Sequence, residues 1–192
     1  AHEHLIDAAL NDATGDEILL IQNETSGNEA AIRQAKAKGL QVAFNMAPMN
    51  ANARALPLAL IDYFIINETE GEALTGKTEP SEICDAVLDQ YPHSAVVLTL
   101  GPAGVLFRTA ERNLSQPAYP VETVDTTGAG DTFTGYFLAT LMKTQQVELA
   151  LQTAAAAAAL SVTQPGAATS IPTLHLLLLL LDSWCAVLAR AL

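Results

Sequence analysis

The sequence predicts an α/β fold: a doubly wound, mostly parallel sheet with helices on both faces. Three observations carry this expectation. Short apolar runs of strand length alternate with longer stretches of helical periodicity between residues 17 and 162. The runs at 18–21, 63–66 and 95–98 are continuously apolar, as in strands buried on both faces. Each segment able to carry chemistry follows a strand-like run, and open α/β sheets bind ligands at the C-terminal ends of their strands.

The elements follow in order. Residues 17–22 read as a strand and 28–38 as a helix, with Gly39 placed to end it in a left-handed cap. A strand at 41–45 leads through a turn at Pro48 to a short helix near 53–60. The apolar strand at 63–66 ends at Asn67, and helices follow at 70–74 and 81–90, the second with Pro80 at its start. A buried strand at 95–100 pairs with 105–109 across the turn at 101–104. The alternation of Val121, Glu122, Thr123 and Val124 predicts a further strand at 121–124. Helices at 132–143 and 147–162 complete the series. The second contains six consecutive alanines, 154–159, which suit close packing or the close approach of a nucleotide base.

Composition excludes some functions. With 192 residues, half of them apolar, the chain can bury one proper core. A formal net charge of −12 argues against a nucleic-acid partner, whose phosphates it would repel. It is no obstacle to ATP, which is held by local N–H groups and magnesium. Cys84 and Cys185 have no metal or redox spacing and read as reduced thiols of a cytoplasmic protein. His2, Glu3, His4 and Asp7 interrupt any apolar leader. Residues 174–192 include six leucines in a row, 176–181, but Asp182 and Arg190 weigh against a membrane span and favour a docked terminal helix.

The run Asp125-Thr126-Thr127-Gly128-Ala129-Gly130-Asp131-Thr132-Phe133 is the richest in chemistry. Two glycines at a helix start let backbone N–H groups face an anion, with Asp131 at its mouth. A carboxylate there can orient an attacking hydroxyl or take its proton, and the helix N-terminus favours its ionised form. The plainer reading is a tight turn with an Asp cap. Asn67 and Glu70 are three apart at a strand-to-helix junction, so both can face one site, or they can simply form a capping box. Likewise Thr99, Gly101 and Gly104 read as a nucleotide loop or a hairpin turn, and Glu24 as a ligand carboxylate or an ordinary exposed acid.

Several of these segments together resemble the ribokinase-type (PfkB) carbohydrate kinases. They are Gln22-Asn23-Glu24, Asn45-Met46-Ala47-Pro48 with Met46 in place of the family's first Pro, Asn67-Glu68-Thr69-Glu70, Thr99-Leu100-Gly101-Pro102-Ala103-Gly104, the Asp125–Phe133 run, and Pro165-Gly166-Ala167 through Ser170-Ile171-Pro172. The resemblance spans about residues 5–173, so residues 1–173 are expected to form a partial catalytic and nucleotide-binding core and 174–192 an atypical leucine-rich helix. It implies phosphoryl transfer from ATP to the primary hydroxyl of a sugar, with ribose to ribose 5-phosphate the leading case. The alternatives are fructose or another sugar or nucleoside of the family, or a non-catalytic nucleotide-binding fragment.

The resemblance also implies roles. Asp131 accepts the hydroxyl proton and contacts the sugar; the N–H groups of Gly128, Ala129 and Gly130 face the transferred phosphoryl; Glu24 meets the sugar. Asn67, Thr99, Gly101, Gly104, Gly130 and Ala155 lie along the nucleotide, although Ala155 stands where the family often has a polar Asn or His. Asn67 and Glu70 hold Mg2+ largely through water. Asp125, Thr127, Ser161, Gln164, Gly166 and Ser170 surround an activating K+, with Asp125 as a turn cap the competing reading. The family's first strands, β lid and Gly-Gly-x-x-x-Asn sugar segment have no counterpart within these residues. The resemblance therefore predicts weak or absent activity for this stretch alone, and an open sheet edge that favours homo-oligomers or aggregation.

Overall fold

A six-stranded sheet with strands in sequence order organises the first half of the chain. The computed structural model describes residues 3–177 and 179. These fall into two compact units, one formed by Ala1–Gly101 with Val105–Ser115 and the other by Pro102–Gly104 with the chain from Gln116 onward.

In the first unit, α1 (Glu3–Leu10) precedes β1 (Ile18–Gln22), α2 (Asn28–Ala37), β2 (Gln41–Asn45), α3 (Ala51–Ala55) and β3 (Tyr63–Asn67). Then come α4 (Glu68–Thr75), α5 (Pro80–Gln90), β4 (Ala95–Thr99), β5 (Val105–Arg108) and β6 (Asn113–Gln116). Strands β1 to β4 are parallel, and β5 returns antiparallel to β4. The fold class is thus the α/β, mostly parallel sheet expected, with one reversed hairpin at its edge.

Apolar alternation sets which face each strand presents. Val42 and Phe44, Phe64 and Ile66, and Val96 and Leu98 share one face, because successive side chains of a strand point to opposite sides. That face packs against Ile32 and Ala35 of α2, Ala53 of α3 and Ile83, Cys84 and Val87 of α5. Crossovers between adjacent parallel strands in sequence order, all of one hand, place their helices on one side. The alternate residues Ala43, Ile65 and Val97 are buried as well, so both faces are shielded from water. Phe44 and Phe64 are fully buried, each stabilising the fold by about 2–3 kcal/mol. At the opposite end of the strands, the Asp62 carboxylate accepts hydrogen bonds from the Val42 N–H and from Lys36, both at 2.7 Å. This closes the return into β3 beside α2.

The second unit contains α6 (Ala129–Thr144), α7 (Val147–Ser161) and a 3-10 turn at Ala168–Ser170. Phe137 of α6 and Ala154, Ala156 and Ala157 of α7 are fully buried, so the alanine run serves close packing. The Tyr136 hydroxyl donates to the Pro172 carbonyl at 2.6 Å, tying α6 to the segment beyond the 3-10 turn.

Two expectations are corrected, and two elements were not expected. Residues 121–124 form no strand: Glu122, Thr123 and Val124 are exposed, so the alternation has no buried face to fill. The Val124 and Asp125 N–H groups instead donate to the Val162 carbonyl. The strand β6 was not expected, because its sequence Asn-Leu-Ser-Gln has low strand propensity and only pairing with β5 supports it. The helix α1 was also not expected. Finally, the helix expected near 53–60 is broken into α3 and a 3-10 turn at Leu58–Leu60, because Pro57 cannot continue it. Residues 174–177 are helical, while the rest of the leucine-rich helix expected over 174–192, Cys185 included, lies outside the described residues, Leu179 aside.

Candidate active site

Parallel register brings the predicted residues of the first unit to one edge of the sheet. Gln22 stands beside Asn45, and Asn67 beside Thr99, each pair closing its ladder. The loops bearing Glu24, the Asn45 turn, Asn67 with Glu70, and Thr99 with Gly101 therefore leave the same strand ends. Glu24 is exposed there, and Asn45 is buried.

Asn67 and Glu70 form the capping box that their spacing allows. The Asn67 side-chain oxygen accepts from the Glu70 N–H at 2.9 Å, and the Glu70 carboxylate accepts from the Asn67 N–H at 2.9 Å. The Asn67 amide also donates to the second Glu70 oxygen at 3.0 Å. Glu70 is buried, and burial raises its carboxyl above the ordinary range, opposed by the two Asn67 bonds. Each carboxylate oxygen keeps a lone pair beyond these contacts, which suits an outer-sphere metal contact through water. The Thr99 hydroxyl donates to the Ile66 carbonyl of the neighbouring strand at 3.4 Å.

In the second unit the glycine run opens α6. Gly128 precedes the helix in left-handed backbone, φ 75°, and a Cβ there would stand 3.0 Å from the Ala167 Cβ. Glycine is required on both counts. Asp131 sits in the first turn and is exposed. The predicted trio of N–H donors is modified. The Ala129 N–H donates to the Thr126 carbonyl at 3.2 Å and so serves the turn. The Thr132 N–H makes the first intrahelical bond, to Gly128 at 2.9 Å. The Gly130 N–H lies in the turn whose donors have no intrahelical carbonyl, and a Cβ on Gly130 would meet nothing within 4 Å. An anion can approach that backbone closely. No strand leads into this turn, contrary to the expectation of a strand-to-helix junction.

Asp125, Thr127 and Gly166 come together. One Asp125 oxygen accepts from the Thr127 N–H at 2.9 Å and its hydroxyl at 2.7 Å; the other accepts from the Gly166 N–H at 2.9 Å. The Gly166 bond, followed by those from Thr127, lowers the carboxyl to about 2. The cap reading of Asp125 is thus realised, and it joins two loops 41 residues apart. The buried Ser161 and Ser170 hydroxyls donate to the Ala158 and Ala167 carbonyls at 2.8 and 2.9 Å, which leaves their oxygens as acceptors. Gln164 is exposed in the same loop. Ala155 is buried midway along α7.

Gly104 has a structural duty. Its φ is 104°, and a Cβ would collide with the Gln116 carbonyl and the 117–118 backbone. Sequence reasoning also missed two organising residues, Asn23 and Asn28. The Asn28 amide donates to the Gln22 carbonyl at 2.7 Å and the Asn23 amide to the Pro48 carbonyl at 2.7 Å. The one available signal was the richness of the 23–28 loop in Asn, Thr and Ser, side chains that bond local backbone.

Comparison with known proteins places this geometry in a family. The model for "pfkB family carbohydrate kinase" matches residues 11–174, and the chain belongs to that family. It is 40% identical over 161 residues to a ribokinase of Haemophilus influenzae, covering 81% of this chain and 52% of that protein. Among solved structures it is similar to a ribokinase of Thermotoga maritima, with TM-score 0.81, 33% identity and coverage of 94% of this chain and 61% of that one. A fructokinase double mutant of Vibrio cholerae O395, bound to fructose, ADP and a potassium ion, matches with TM-score 0.74, 28% identity and coverage of 83% and 58%. The chain spans about half the length of the curated relatives it matches.

Proposed function

We propose that this chain carries the phosphoryl-transfer residues of an ATP-dependent sugar kinase, with ribose to ribose 5-phosphate as the leading reaction. One observation carries the reading. Asp131 stands in the first turn of α6, on a glycine-flanked backbone open to an anion. Similarity to a ribokinase supports ribose as the first candidate, and similarity to a fructokinase supports fructose as the second.

In this reading Asp131 orients the sugar hydroxyl and accepts its proton, and the Gly130 N–H faces the transferred phosphoryl, with Gly128 shaping the turn. A loose transition state asks for orientation more than for a strong base, so an exposed carboxylate is adequate. Glu24 binds the sugar, while Thr99, Gly101 and Ala155 lie along the nucleotide. Asn67 and Glu70 would hold Mg2+ largely through water, with the lone pair that each Glu70 oxygen keeps beyond its bond to Asn67. Asp125, Thr127, Ser161, Gln164, Gly166 and Ser170 offer carbonyl, hydroxyl and carboxylate oxygens, a donor set suited to K+. When bound, the two cations neutralise phosphate charge and shape the loop around it.

The test is Asp131→Asn in the intact protein. We expect kcat to fall about 10²–10⁴-fold with ATP affinity little changed. Near-normal turnover would overturn the assignment.

A further inference from the structure

We propose that Asn23 is a positioning residue for Glu24, and that its clamp on the Pro48 carbonyl sets the affinity for sugar. The inference rests on the reading of Glu24 as the sugar-binding carboxylate. Glu24 is exposed and lies in the short loop between β1 and α2. A carboxylate on such a loop binds a polyol well only if its backbone is held in advance, since each freedom lost on binding weakens affinity.

The structure holds this loop on both sides of Glu24. On the preceding side, the Asn23 amide donates to the Pro48 carbonyl at 2.7 Å. On the following side, the Thr25 hydroxyl donates to Asn28 at 2.9 Å. The buried Asn28 amide then donates to the Gln22 carbonyl at 2.7 Å. Two of these bonds close the loop on itself. The Asn23 bond ties it to another loop, the one that leaves β2 after Asn45. Because Gln22 and Asn45 are register partners, the two strands end level, and the clamp spans adjacent strand ends. The Asn45 side chain in turn accepts from the Ala47 N–H at 3.3 Å, so the Pro48 carbonyl is presented by an ordered turn. Freed from Pro48, Glu24 keeps its chemistry and loses its fixed place.

The experiment compares Asn23→Leu, Asn23→Asp and Glu24→Gln with the unaltered intact protein. KM and kcat are measured for ribose and for fructose, together with KM for ATP and the melting temperature. Leu keeps the volume without the donor; Asp keeps the shape but turns an oxygen toward the carbonyl. Both Asn23 variants should raise the sugar KM about tenfold, the loss expected of one hydrogen bond. The ATP KM should stay within about twofold, because the nucleotide residues do not depend on this clamp. A merely structural role would lower the melting temperature without separating the two KM values. If Glu24→Gln raises the sugar KM and neither Asn23 variant does, the clamp proposal is overturned while the sugar role of Glu24 stands. If Glu24→Gln changes nothing, or the unaltered protein phosphorylates neither sugar, the reading of Glu24 fails and the proposal with it.

Discussion

Asp125 illustrates how much one side chain can do in this fold. Its carboxyl is held at about 2, below the ordinary 3.8, by the Gly166 bond and then by those from Thr127. A carboxyl lowered on folding adds stability that is complete above its unfolded value and is lost as pH falls through the folded value. Between pH 5 and 8 this group therefore contributes a constant amount, and its contribution disappears between about pH 4 and 2. Asn can accept on one oxygen only, so Asp125→Asn should melt at a lower temperature at pH 7, with the gap narrowing toward pH 2. Melting curves across that range check it, and a gap that did not depend on pH would contradict it. Cys84, by contrast, is pushed up to about 11, chiefly by burial, which makes its thiol a poor nucleophile.

At the scale of the element, the helix ends decide where chains turn. α4 begins with the reciprocal capping box that the Asn67–Glu70 spacing allows and stops at Gly76 in left-handed backbone. α6 ends differently: Gln145 is its C-cap at φ 57° and the only non-glycine residue with positive φ among the described residues. Left-handed backbone costs an L-residue about 1–2 kcal/mol, partly offset here by the Gln145 amide bond to the Met142 carbonyl at 3.1 Å. Gln145→Gly should thus stabilise the protein by about 0.5–1 kcal/mol, seen as a higher denaturant midpoint with an unchanged slope. A lower midpoint would mean that the amide bond outweighs the strain.

The whole molecule is divided between a sheet-centred unit and a helical one. The chain enters the second through residues 117–124, which form neither helix nor strand and include exposed Glu122 and Val124. Extended, exposed backbone is where proteases cut first. A glutamate-specific protease under native conditions should cleave after Glu122 before cutting any Glu within a helix, as mass spectrometry of early fragments would reveal. First cleavage within α2 or α4 would contradict this division. Among the described residues no helix is long and apolar enough to cross a membrane.

Much of this was legible in the chain itself. The strands β1 to β4, the helices α2 and α5 to α7, and the order of the loops follow from local patterns: apolar runs, helical spacing, and glycine or proline at the ends. The glycine turn that opens α6 and the Asn67–Glu70 capping box were legible too, because each needs particular residue types at fixed adjacent positions. Tertiary structure alone decided the rest. It denied residues 121–124 a strand and gave one to 113–116, because strand formation depends on a partner and a buried face rather than on alternation. It spent the Ala129 N–H on Thr126 and bound Asp125 to Gly166 across 41 residues. Local sequence encodes which groups a residue carries. Which partner satisfies each donor and acceptor is fixed only when distant segments meet, where most buried polar groups find one.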